Sequence, residues 1–407
     1  MKVLQVNILG STLSTGRTTR EMHEYFEANG IQSYIACPTH KDCNDVFAFS
    51  SPTKIKIDYV LTMLTGKEGF FSYGPTQKLI NYIKALKPDV VHLRVLHGNC
   101  IHLKRLLTFL AHNDIPTVIT MHDFWFITGM CFHYTARGCR KWQTGCYDCP
   151  AMVDDVRQKK FDRTRLMWNN KRKCFNSIPR LAVIGVSDWE IGEIKKSFLK
   201  DALILKRIYN WVDLDVFFPQ NSSNLRTKLN LDEKFVILGV SASWFKGDGK
   251  GFDAYLNLSK VMPDNYRIIL IGEMLYDEIL PDNVISVSRI DSKEELAKYY
   301  SLADVYLNLS KEETFGKVSA EAISCGTPIV AYNSTANSEL VPEKAGKIIY
   351  SLNANEILDA IKSIRLNNKN YYTPICRSFA EKNFNKYNNI KQYIAVYKQL
   401  IEFKRGI

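Results

Sequence analysis

The sequence predicts an α/β protein of two doubly wound domains in tandem, each a parallel sheet with helices on both faces. Three observations predict it. The chain has 407 residues, too many for one ordinary core and enough for two. Apolar strand-like runs alternate with amphipathic helical stretches along most of its length. A polar, turn-rich stretch near residue 220 interrupts the alternation, which then begins again.

The elements follow in order. "VLQVNIL" (3–9) is a buried first strand, with no cleavage-site pattern of a secretory leader. Strands follow at "SYIAC" (33–37), "DVVHL" (89–93), "TVITMHD" (117–123) and "LAVIGVS" (181–187), with helices over 17–29, 75–87 and 101–113 between them. "LILKRIYNWVDLDVFFP" (203–219) runs from a strand into a turn, and "QNSSNLRTKLN" after it is polar. The domain boundary is set there, with domains at 1–210 and 211–385. In the second half, strands fall at 235–243, 266–272, 284–290, 304–310 and 328–332, and helices at 251–262, 293–303, 316–325 and 353–366. Residues 386–407 end the chain in one helix expected to pack back on the first domain. Ligands of such sheets bind beyond the carboxyl ends of the strands, so two such domains are expected to form a cleft.

Charge is uneven. Residues 1–200 hold 28 Lys and Arg against 17 Asp and Glu, and the rest 26 against 25. A basic half suits an anionic partner, a membrane surface or a nucleic acid, or simply serves solubility. No apolar run reaches the roughly 18 residues of a membrane-spanning helix. A cytoplasmic protein, peripheral at most on the membrane, is expected.

The densest chemistry lies in "KEETFGKVSAEAISCGTPIVAY" (311–332). A strand ends at Ser310, a loop carries Glu313, and a helix starts near Gly316 and ends by Gly326. Glu321 projects from that helix's second turn. Between the two carboxylates, the amides of Phe315, Gly316, Lys317 and Val318 form an open helix start that favours phosphate or hydroxyl oxygens. Glutamate early in a helix also serves simply to complement the helix dipole. Amides for a diphosphate and carboxylates for sugar hydroxyls together match a nucleotide-sugar.

This phrase resembles the E-x7-E signature of glycosyltransferase family 4, group 1, the retaining glycosyltransferases of GT-B fold, and the resemblance spans nearly the whole chain. It implies that Glu321 holds the ribose, Glu313 the donor sugar, and the amides after Phe315 the sugar and phosphate. "GSTLSTGRTTREMHEYF" (10–26) resembles the family's first β-α loop, with Gly16 allowing close approach to the diphosphate. "TMHDFWFITG" (120–129) resembles the segment whose histidine, here His122, orients the transferred sugar. "SASWFKGDGKGFD" (241–253) resembles the second phosphate loop, with Lys250 as its lysine. The family's upstream arginine is absent; Ser243 and Trp244 stand in that region, and Lys246 is the substitute at hand. Catalytic roles thus fall on His122, Lys250 and Glu313, with no catalytic metal required. In the interdomain link, Trp211 replaces a usual glycine, and Asp213 and Asp215 are not expected to bind metal. Arg289 and Ile290 are candidates to lie near the base.

Cys131, Cys139, Cys146 and Cys149 fall within twenty residues and end in Cys-x2-Cys, beside His133. They are candidate ligands of a structural zinc, or else thiols pinning a loop. "RQKKFDRTRLMWNNKRK" (157–173) holds eight basic residues and one acid with Phe161, Leu166, Met167 and Trp168 interleaved. As a helix it would lie on an anionic membrane, or be a solvated basic helix.

The expected activity is transfer from a nucleoside-diphosphate-sugar to a hydroxyl of a lipid-linked saccharide in cell-surface polysaccharide synthesis. A sugar-nucleotide epimerase or phosphorylase on the same fold is the alternative within enzymes. A zinc-containing nucleic-acid-binding protein is the alternative outside them, although no recognition-helix or aromatic-platform pattern supports nucleic-acid binding.

Overall fold

The computed structural model describes residues 1–40, 45–154, 161–247, 249–276 and 279–403. The chain divides into two compact units. Unit 1 is Met1–Ile208 with the residues from Ile390 onward, and unit 2 is Tyr209–Asn389.

Unit 1 contains β1 (Lys2–Val6), α1 (Leu13–Ala28), β2 (Gln32–Cys37), β3 (Phe47–Ala48), α2 (Pro52–Thr65), α3 (Tyr73–Leu86), β4 (Val90–Leu93), α4 (Leu103–His112), β5 (Thr117–Thr120), α5 (Ala151–Asp154), α6 (Thr164–Phe175), β6 (Leu181–Gly185), α7 (Asp188–Ile194) and β7 (Ile204–Arg207). Its seven strands pair in the order β3-β2-β1-β4-β5-β6-β7, all parallel. Val3, Leu4 and Val6 of β1, Val90 and Val91 of β4 and Val118 and Ile119 of β5 are fully buried. Strands covered on both faces require such continuous apolar runs.

Unit 2 contains α8 (Ser223–Lys228), β8 (Phe235–Trp244), α9 (Phe252–Ser259), β9 (Tyr266–Met274), β10 (Val284–Val287), α10 (Lys293–Leu302), β11 (Val305–Asn308), α11 (Lys317–Ser324), β12 (Ile329–Tyr332), β13 (Gly346–Ile349), α12 (Ala354–Arg365) and α13 (Lys369–Asn383). Its sheet runs β10-β9-β8-β11-β12-β13, again parallel. The last helix, α14 (Lys386–Glu402), begins in unit 2 and is counted with unit 1 from Ile390. Tyr397 there hydrogen-bonds His92 Nδ1 of β4 (2.7 Å), and Tyr393 receives a bond from Thr120 of β5 (3.2 Å).

Each sheet reverses its order at one point, between β1 and β4 in unit 1 and between β8 and β11 in unit 2. The loops leaving these strands diverge and open a crevice at the carboxyl edge. The candidate residues lie on these loops and their neighbours.

One expected feature takes a different form, and two helices were not expected. The stretch 157–173 lies partly outside the described residues; in its described part, α6, Met167 and Trp168 are core residues. Lys171 is buried there as well, donating to the Thr128 carbonyl (3.0 Å) and standing 3.6 Å from the Trp125 ring centroid. Met167 and Trp168 therefore bind this helix to its own sheet, whereas Phe161 and Leu166 are 47% and 40% exposed. Helix α2 was not expected, because its apolar residues lie on both of its faces and set no single stripe apart from a polar side. Helix α13 carries Pro374 in its interior, which breaks a sequence-based helix although a first-turn or kinked proline is tolerated.

Candidate active site

In unit 2 the two glycine-bearing loops at the reversal point meet. Lys311 donates its backbone N–H to the Gly249 carbonyl (2.8 Å). Gly251, at φ +93°, begins α9 against the other loop: a Cβ there would sit 2.5 Å from Leu309 Cβ and 2.8 Å from its carbonyl oxygen. Only glycine allows this approach. It brings Lys250 Nζ to 2.5 Å from Glu313 Oε1 and 3.4 Å from Ser310 Oγ. The lysine side chain is 42% exposed, so the pair adds little to stability. Its effect is to set a cation and a carboxylate at one point of the crevice.

The Glu313 loop is pinned from behind. Thr335 Oγ1 accepts from the Glu313 amide (2.8 Å), and the Ala336 amide donates to the Glu313 carbonyl (3.2 Å). Asn337 Nδ2 and Ser334 Oγ both donate to the Ser310 carbonyl (2.7 and 2.8 Å). Buried Asn308 joins Ser319 and Asn337 across the helix start (2.8 and 3.0 Å). These polar groups were not foreseen from the sequence; a polar Asn-x-Ser ending an apolar strand was the available signal.

Gly316 caps α11 with φ +84°. The first helical amides with an acceptor are those of Ser319 and Ala320, on the Gly316 carbonyl (3.0 and 3.2 Å). The amides of Phe315, Gly316, Lys317 and Val318 have none among the described residues. Phe315 itself is buried, so it contributes its amide and packing. Glu321 lies in the second turn, 8% exposed, and its Oε2 accepts from the Tyr300 hydroxyl at 3.1 Å. Burial, and then the Glu321 charge, hold the Tyr300 phenol well above its ordinary pKa, so it remains a donor.

The region of the missing arginine holds Trp244 and Lys246. Trp244 is buried, its indole bonded to the Ile271 carbonyl (3.0 Å), and Lys246 stands exposed over the Tyr276 ring (5.3 Å). Arg289 pairs with Asp291 at the surface (3.0 Å). Arg377 binds the Leu214 and Phe217 carbonyls (3.1 and 2.8 Å), fixing the turn that holds Asp213 and Asp215.

In unit 1, His122 lies two residues beyond β5. Arg94, one residue beyond β4 and 1% exposed, donates to His122 Nε2 (3.1 Å) and Thr18 Oγ1 (2.6 Å), with Met22 Sδ at 3.1 Å from its other nitrogen. Burial, and then the Arg94 cation, push the His122 pKa well below its usual value. The ring is therefore neutral, and with Nε2 accepting, its proton sits on Nδ1. Arg94 was missed by sequence reasoning. Gly16 is placed differently from its expected loop position: it lies within the first turn of α1, where a Cβ would meet Leu9 Cβ at 3.0 Å and Ser11 C at 3.1 Å. Its smallness lets the β1–α1 loop fold tightly onto the helix.

Cys131, Cys139, Cys146 and Cys149 line one cavity of about 20 Å³. Cys131 and Cys149 hydrogen-bond each other, which draws the Cys149 thiol down and drives Cys131 up. Cys146 Sγ accepts from the Gly129 amide (3.2 Å). Among the described residues no group of three or more His, Cys, Asp or Glu is arranged to hold a metal ion. A zinc site needs four ligands converging on one point; in this structure Cys131 and Cys149 are engaged with each other and Cys146 with the Gly129 amide.

Two family models match in succession. Glycosyltransferase Family 4 covers residues 15–216, and Glycosyl transferases group 1 covers 222–399. The chain belongs to this glycosyltransferase family. A relative from Escherichia coli, 21% identical and spanning 86% of this chain and 87% of its own, bears a name that assigns it to colanic acid biosynthesis as a glycosyl transferase. Alpha-monoglucosyldiacylglycerol synthase of Acholeplasma laidlawii is 22% identical, spanning 85% of this chain and 83% of its own. Among solved structures, Anabaena HepE in complex with UDP and glucose superposes with a TM-score of 0.62 at 17% identity, covering 98% of this chain and all of its own. A Rickettsia africae glycosyltransferase gives 0.68 at 16% identity, with 99% of each chain covered. The fold of this glycosyltransferase is GT-B.

Proposed function

We propose that this glycosyltransferase moves a sugar from a nucleoside-diphosphate-sugar to a hydroxyl of a lipid-linked saccharide, with retention at the anomeric carbon, in cell-surface polysaccharide assembly. The observation that carries the donor reading is the open start of α11, with four amides lacking acceptors and Glu313 and Glu321 on either side. A diphosphate supplies acceptors for those amides and for the Lys250 ammonium. Ribose hydroxyls donate to Glu321, and donor-sugar hydroxyls to Glu313. In unit 1, His122 orients the transferred sugar as a neutral donor held by Arg94, and the loop packed on Gly16 approaches the diphosphate.

In the reaction the bond from the anomeric carbon to the diphosphate breaks, and a bond to the acceptor oxygen forms on the same face. The acceptor proton passes to the departing diphosphate. Lys250 and the helix amides stabilise negative charge as it develops there, worth about 3–4 kcal/mol for a well-placed donor. The protein's own part is charge stabilisation and positioning.

Support for the acceptor class comes from the relatives' names: one is assigned to colanic acid biosynthesis, and one is a synthase of a glucosylated diacylglycerol. Among the described residues no helix is long and apolar enough to cross a membrane, and the described cysteines are free thiols. Both suit work at the cytoplasmic face of a membrane.

Calorimetric titration with UDP, GDP and ADP tests the donor site. Saturable binding of one nucleotide, abolished by blocking the α11 start with Gly316→Val, is expected. Wild-type binding of none of the three would remove the donor assignment. Nucleoside diphosphate released only when acceptor is added distinguishes transfer from epimerisation.

A further inference from the structure

We propose that α2 seats unit 1 on an anionic lipid surface, its outer face entering the headgroup layer while its inner face walls a pocket. This deepens the lipid-linked acceptor reading and rests on it for its purpose, but the surface stands on its own residues. Helix α2 is apolar on both faces. Its inner side, with Ile55, Tyr59 and Met63, lines a cavity of about 430 Å³ shared with Glu68, His97 and Phe132. Its outer side presents Ile57, Val60 and Leu64, which are 50%, 53% and 55% exposed. Their spacing of i, i+3 and i+7 makes one stripe. A helix apolar on both faces needs an apolar medium on each, and among the described residues the fold supplies only one.

The charges select the medium. The only acid in α2, Asp58, is buried, held by Lys54 and by the Ser72 hydroxyl (2.7 Å). Lys56 beside the stripe is exposed. Gly66 ends the helix at φ +72°, and a Cβ there would meet the Phe161 carbonyl and lie 3.1 Å from Arg163 Cγ. Phe161 is 47% exposed and extends the apolar stripe, with the Arg163 guanidinium over its ring (5.8 Å). The neighbouring acid, Asp162, is turned to the Cys149 and Thr164 amides (2.9 and 2.8 Å). An apolar stripe edged by cations fits an anionic bilayer interface. A second copy laid on the same face would oppose like charges.

The test is sedimentation of the full chain with vesicles of phosphatidylcholine, with and without phosphatidylglycerol and containing no acceptor lipid. Binding to the anionic vesicles only is expected. The triple variant Ile57→Ser, Val60→Ser, Leu64→Ser should bind roughly a hundredfold more weakly, and Lys56→Gln roughly fivefold. Leu366→Ser, which changes an 84% exposed leucine of unit 2, should bind like wild type. Nucleotide titration of the triple variant checks its folding, and in wild type it reports on the donor reading separately. Absence of binding by wild type, or equal binding by the triple variant, would overturn the proposal. So would a dimer in gel filtration that the triple variant converts to monomer without any lipid binding.

Discussion

Glu321 separates a binding role from a folding role, because its two replacements have different structural consequences. Its Oε2 accepts from the buried Tyr300 hydroxyl at 3.1 Å, and its side chain is 8% exposed. Glu321→Gln keeps an oxygen for that hydroxyl and removes the charge. A hydrogen bond from a ribose hydroxyl to a carboxylate is worth about 1.5–3 kcal/mol, roughly tenfold to a hundredfold in Kd. Glu321→Gln should therefore lose about that much nucleotide affinity while melting near the wild-type temperature. Glu321→Ala loses the same contact and also leaves the Tyr300 hydroxyl buried without this acceptor, at a further cost of about 1–3 kcal/mol in fold stability. Calorimetry gives the affinities, and thermal melts without nucleotide give the stabilities. Wild-type affinity in Glu321→Gln would refute the ribose role and leave Glu321 with a structural role beside Tyr300.

Lys250→Met should lower kcat roughly a hundredfold or more with little change in melting temperature, because its ion pair is largely solvated; steady-state kinetics beside a melt checks both. Gly251→Ala should cost about 1–3 kcal/mol, since its Cβ would lie 2.5 Å from Leu309 Cβ at a φ of +93°, and a denaturant titration reads it. Buried His92, bonded to Thr120 (2.8 Å) and Tyr397, is held well below the ordinary histidine pKa of 6.5 by burial and the Arg94 cation. It stays neutral when folded and takes a proton when unfolded, so its contribution is complete above pH 6.5 and is lost as pH falls below it, by about 1.4 kcal/mol per pH unit. Chemical denaturation across that range should show the loss, with His122 adding to it in the same direction. A chelator should leave the melting temperature unchanged and metal analysis should find well short of stoichiometric zinc, given the paired Cys131 and Cys149.

What was legible in the sequence divides along a physical line. Buried parallel strands announce themselves as continuous apolar runs, so eleven of them were located to within a few residues; β3 and β13 were not, being short edge strands of two and four residues. The donor loop was legible because its chemistry is local: Glu313, Gly316 and Glu321 lie on one strand-loop-helix unit, and spacing alone sets their order. Arg94 was not legible, because it follows β4 while its partners Thr18 and His122 come from α1 and the loop after β5. Only the strand order β2-β1-β4-β5 brings these together, and no spacing in the sequence encodes it. The cysteines show what spacing leaves open: all four reach one small cavity, but nothing in the sequence says that Cys131 and Cys149 hydrogen-bond each other there. Helix α2 failed to register for a third reason. Period-3.6 patterning assumes one apolar and one aqueous face, and a helix with a pocket on one side and an apolar stripe on the other does not meet that assumption. Its illegibility and its proposed seat on a lipid surface thus have one cause: apolar residues on a face that the protein's own core does not cover.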